Sequence, residues 1–92
     1  MTKNELLSRL KAQISLMKES HLERSSDVLC NRQDVLNITK ADNMFGAAER
    51  LYADKEINAL LGFPERDFII LPDDDGLRVH KGIGKTNKKQ HE

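Results

Sequence analysis

The sequence predicts an α+β fold: a small three- to four-helix bundle followed by a C-terminal β-hairpin and a disordered basic tail. Three observations carry that expectation. Apolar residues recur at helical spacing near the N-terminus, at Leu6, Leu7, Leu10, Ile14 and Met17. A later apolar stripe stops at Gly62-Phe63-Pro64, where glycine suits a left-handed cap and proline cannot continue a helix. Beyond it, Phe68-Ile69-Ile70-Leu71 and the alternating Leu77 and Val79 flank Pro72-Asp73-Asp74-Asp75-Gly76, the pattern of two strands around a polar turn.

The first helix is expected from about Lys3 to Ser20, with a possible extension through Leu22. Thr2 and Glu5 open it as a capping box, in which each side chain satisfies a backbone amide of the other. Ser25, Ser26 and Asp27 are all good N-caps, and Val28, Leu29, Val35 and Leu36 follow at helical spacing, so a second helix is expected over about Asp27–Asn37. A strand at Val28-Leu29-Cys30 is the alternative, limited by the polar Asn31-Arg32-Gln33-Asp34 after it. Thr39, with Asp42 three residues on, reads as the next helix start. Met44, Phe45, Ala48, Leu51, Tyr52, Ile57, Leu60 and Leu61 then recur down to Gly62. Asp54 can re-cap the chain, which leaves residues 40–61 as one helix or as two. Phe63 is expected to pack back on the helix end. The expected interior is Leu10, Ile14, Leu29, Leu36, Ala48, Leu51 and Leu60, with Phe68, Ile70, Leu77 and Val79 of the hairpin packed against it.

Residues 1–84 therefore read as a single α+β domain, and residues 85–92, which carry no apolar side chain, as a flexible polar tail. At 92 residues, 38% apolar and 33% charged, the chain holds enough apolar material for a modest core. Aromatics are few, namely Phe45, Tyr52, Phe63 and Phe68. The formal net charge is zero, so no global field draws the chain to nucleic acid or to an acidic membrane. The single cysteine, Cys30, cannot form an internal disulfide and fits a reducing cytoplasm. No apolar run approaches the roughly 18–20 residues of a membrane span, and the N-terminal segment is polar and periodic, unlike a signal peptide.

Several attractive chemistries fail on spacing. With Gly76 at the sixth position of a calcium loop, Asp73 and Asp75 fall at the third and fifth, but Leu71 and Gly82 stand where the anchoring carboxylates belong. Gly84-Lys85-Thr86 imitates a phosphate loop, yet Val79 occupies the place of its first glycine, and the six polar residues after Thr86 are not expected to supply the helix that the motif opens. His21, Cys30, His80 and His91 lack the close pairs of a zinc site. Cys30 has no glycine-rich turn beside it to serve an acyl transfer and reads as a small buried apolar group. Acid–base work needs carboxylates in a desolvated cleft, whereas Glu65, Asp67 and Asp73–Asp75 lie in a polar segment. No cofactor and no metal are expected, and no enzyme.

The charge pattern is the most informative signal. Glu65, Asp67, Asp73, Asp74 and Asp75 precede Gly76, with Arg66 alone among them; Arg78, Lys81, Lys85, Lys88 and Lys89 follow it, with no acid before His91. The hairpin runs from an acidic side to a basic one. The expected function is a small non-enzymatic protein-binding module (an adaptor, inhibitor or accessory regulatory subunit), acting through its helical face and hairpin. The expected contact residues are Asp73, Asp74, Asp75, Arg78, His80, Lys81 and Lys85, and the partner is another protein or a second copy of the chain. A free strand edge would suit such docking. The alternative is a winged-helix-like nucleic-acid-binding regulator, since helices followed by a hairpin are the element order of that domain, with Arg78, Lys81 and Lys85 on phosphates. Against it, the stretch that would face phosphates carries Asp42, Glu49, Asp54 and Glu56 against Arg50 and Lys55.

Overall fold

A computed structural model describes residues 1–82 of the chain. The expected tail, with Lys85, lies outside the described residues. Helix α1 (Lys3–Ser20) begins at the expected capping box: the Glu5 amide donates to the Thr2 hydroxyl at 3.2 Å, and the Thr2 amide donates to Glu5 Oε1 at 3.0 Å. It ends at His21, which turns left-handed at φ 55°. Its stripe of Leu6, Leu10, Ile14 and Met17 is buried.

The next segment differs from expectation. A two-residue strand, β1 (Cys30–Asn31), precedes helix α2 (Arg32–Thr39), which starts at an Asn31 cap rather than at Ser25, Ser26 or Asp27. The reason is long-range. Ser25 is fully buried; its hydroxyl donates to the Asp27 carbonyl at 2.9 Å and accepts from the Val79 amide at 3.2 Å, so the β-sheet has taken the group that would cap a helix. Thr39 likewise closes α2 instead of opening the next helix, its hydroxyl donating back to the Val35 carbonyl at 2.7 Å.

The stripe from 44 to 61 is two helices, α3 (Met44–Tyr52) and α4 (Lys55–Leu61). Asn43 caps α3, and Asp54 caps α4 by accepting from the amides of Glu56 and Ile57. Gly62 takes the left-handed stop at φ 89°, and the Phe63 amide donates to Asn58 O at 3.0 Å as the motif requires. The Phe63 ring does not pack back; it stands 61% exposed.

Strands β2 (Phe68–Asp73) and β3 (Gly76–Lys81) form the hairpin, closed by Asp74 and Asp75. The sheet has three antiparallel strands in the order β1-β3-β2, with Cys30 opposite Leu77 and Asn31 opposite Gly76. Alternation puts Phe68, Ile70, Leu77 and Val79 on the buried face, where they meet α1, Val35, Leu51, Ile57 and Leu61 in one core. Leu36 and Leu60, expected inside, are only partly buried at its margin. The described residues thus form a small α+β fold of four helices and a three-stranded sheet.

Candidate interaction surface

The hairpin tip is built by local chemistry. Asp73 pairs with Gly76 across the turn, and its carboxylate accepts the Asp74 amide at 2.7 Å. Asp74 and Asp75 project at the tip, both exposed. Gly76 is required from behind rather than by the turn alone. Its φ is +150°, and an added Cβ would collide with the carbonyl oxygen of Cys30 in β1.

Arg78 is placed differently from what its charge suggests. Its Nε donates to Asp73 Oδ2 at 2.8 Å, and its Nη1 donates to the Ser26 carbonyl at 2.9 Å and, more weakly, to that of Ser25 at 3.4 Å. The guanidinium straps the 25–26 segment to the hairpin. That bond is also the chief reason the Asp73 carboxyl is held below the usual carboxylate range. His80 lies on the outer face of β3, half-buried and bridged to Arg24, while Lys81 is exposed at the strand end, its amide donating to the Glu23 carbonyl. The structure thus brings Asp73 and Arg78 together, sets Asp74 and Asp75 free at the tip, and leaves His80 and Lys81 toward the other end of the strand.

An open groove of about 420 Å3 runs beside this strap, lined by Leu22, Glu23, Arg24, Ser25, Ser26, Asp73 and Arg78. Its volume reaches that of a ligand site, but it is broad to solvent, and its two acids offset its two bases. Cys30 is fully buried in the core, and burial pushes its thiol up to about 11, where it stays protonated. Among the described residues, no group of three or more His, Cys, Asp or Glu could hold a metal ion. No helix among them is long and apolar enough to cross a membrane.

Two further features escape sequence reasoning. Phe45 stands 80% exposed on α3, although helical spacing aligns it with Ala48, which is buried. Tyr52, at the end of α3, hydrogen-bonds through its hydroxyl to both backbone groups of Ile70 in β2. The only signal for the second was a phenol in an otherwise apolar stripe, since a buried tyrosine hydroxyl must find a partner. No protein-family model, no curated protein and no solved structure matches the chain.

Proposed function

We propose that this chain is a small non-enzymatic protein-binding module, of the kind that serves as an adaptor, inhibitor or accessory regulatory subunit. In this reading its hairpin tip docks on a partner protein that presents cationic groups. The observation that carries the reading is the state of the hairpin charges. Arg78, the hairpin cation closest in sequence to the turn, is committed to Asp73 and to two backbone carbonyls. What the tip offers outward is the pair Asp74 and Asp75, with the partly exposed Leu71 on the strand behind them. Such a surface repels phosphates and suits lysine or arginine on a partner. The outward Phe45 supplies the type of anchor that dominates protein interfaces. A lone, buried, protonated thiol supports a reducing cytoplasm as the setting and argues against a nucleophilic role for Cys30. The direct test is affinity purification from the source cell. A stoichiometric protein partner is expected; a monodisperse monomer with no partner would overturn the reading.

One observation favours nucleic acid as a second reading. Helices α2 and α3 are joined by residues 40–43, a connection of helix-turn-helix length, and a hairpin follows as in a winged-helix domain. In that arrangement α3 would lie in the groove, yet its outward side carries Phe45 and Glu49, with Arg50 donating to the Thr39 carbonyl at 3.2 Å. Titration with generic duplex DNA at about 50 and about 200 mM salt separates the two readings, because phosphate contacts weaken steeply over that range. Binding at low salt that collapses at high salt would favour this second reading.

A further inference from the structure

We propose that Tyr52 is an edge guard: its hydroxyl occupies the outward backbone groups of Ile70 and closes the free side of the sheet to strand addition. The alternation of the ladder fixes which groups face outward. The Val79 amide donates to Ser25 Oγ and its carbonyl accepts from the Ser25 amide, both on the β1 side of β3. Val79 therefore exchanges no bonds with Ile70, its partner across the hairpin, and Ile70 turns its own amide and carbonyl to the open edge of β2. Both end on one oxygen. The Tyr52 hydroxyl donates to Ile70 O at 2.8 Å and accepts the Ile70 amide at 2.9 Å.

Two residues on, Pro72 faces the same way and has no amide to offer. Of the three outward positions on β2, Phe68, Ile70 and Pro72, only Phe68 retains a donor that is neither guarded nor missing. An incoming strand needs consecutive donors and acceptors, and the edge withholds them. The Arg66 guanidinium lies 4.8 Å from the Tyr52 ring centroid and steadies the ring in place. The edge docking expected from the sequence is thereby closed in the folded chain, and partners must use side-chain surfaces. This holds whatever those partners are.

With the guard removed, the strand at hand in a purified sample is β2 of a second copy. Antiparallel pairing centred on Ile70 would let the two Ile70 residues exchange both bonds. The full chain is compared as wild type, Tyr52→Phe, Pro72→Val and the double variant. Native-state hydrogen exchange at micromolar concentration reads the guard, and sedimentation across a concentration series reads the pairing. In Tyr52→Phe, protection of the Ile70 amide is expected to fall by about tenfold or more, the worth of one hydrogen bond. The wild type and Pro72→Val are expected to sediment as monomers with respect to this edge, and the double variant to dimerise. Unchanged Ile70 protection in Tyr52→Phe overturns the proposal. So does a folded double variant that stays monomeric, or a wild-type dimer with Ile70–Ile70 cross-strand contacts. If the double variant does not fold, the exchange measurement decides.

Discussion

Replacing Gly76 by alanine should damage this fold far more than its place beside a turn suggests. Gly76 holds φ at +150°, a region that costs a residue with a side chain about 1–3 kcal/mol. The added Cβ would also strike the Cys30 carbonyl and come within 2.9 Å of Asn31 Cα, both in backbone that cannot swing aside. Strand β1 must then leave β3, and the two flanking bonds, from the Leu29 amide to the Leu77 carbonyl and from the Arg32 amide to the Asp75 carbonyl, are lost with it at about 1 kcal/mol each. The sum is about 3–5 kcal/mol. Taken at roughly 0.05–0.15 kcal/mol per residue, the whole 92-residue chain holds roughly 5–14 kcal/mol. Urea unfolding followed by circular dichroism reads the loss. Gly46→Ala is the internal control, because its Cβ would meet Ala41 Cβ at 3.5 Å and Asn43 Oδ1 at 3.6 Å, ordinary contacts. In the first turn of α3 it should stabilise by about 0.5–1 kcal/mol. A Gly76→Ala protein within about 0.5 kcal/mol of wild type, or a shift of the same sign for both variants, would refute the packing argument.

Other consequences can be measured on the same material. Cys30 should resist thiol reagents at pH 8 in the native state and react only at the rate of unfolding; prompt labelling would show that the thiol is not enclosed. Arg78→Gln should cost about 1 kcal/mol through the lost bond to the Ser26 carbonyl, and should raise amide exchange in residues 24–27; unchanged exchange there would remove the strap from the account. The carboxyls of Asp73, Asp54 and Glu5 are all held below their ordinary values, by Arg78, by Lys3 and by the Thr2 backbone amide respectively. Their contribution is present above the unfolded carboxylate value of about 4 and is lost as pH falls through the folded values. The urea midpoint should therefore drop below about pH 4, and Asp73→Asn should flatten that drop; an equal slope in the variant would show that the pair adds nothing.

Much of the fold was legible because its cues are local. The Thr2–Glu5 box and the stripe through Met17 set both ends of α1. Gly62 ended the following run, while Asp54 leaves one helix or two open, and the structure has two. The acidic turn closed the hairpin. The readings that failed depend on groups distant in sequence. Ser25 looks like a cap until the Val79 amide claims its hydroxyl, and that claim delays α2 to Arg32. A two-residue strand such as β1 has no period to detect, so helix over Asp27–Asn37 is the leading reading, and the alternative strand at Val28-Leu29-Cys30 reaches Cys30 but not Asn31. Charge was legible as a count but not as an allocation. Arg78 looks like a free cation, and only the fold shows that Asp73 and the 25–26 carbonyls consume it. Tyr52 carries no sequence cue for Ile70, eighteen residues away.

The central claim is that the hairpin tip engages a cationic protein surface through Asp74 and Asp75. It is tested most directly by comparing wild type with Asp74→Lys/Asp75→Lys as bait against the partner that the wild type retains. Both residues are exposed turn positions, so the variant should keep its circular dichroism spectrum and melting behaviour. The account predicts that the folded variant loses the partner by at least about tenfold in affinity, with the wild-type complex weakening as salt rises. Equal affinity of the folded variant and the wild type would contradict it.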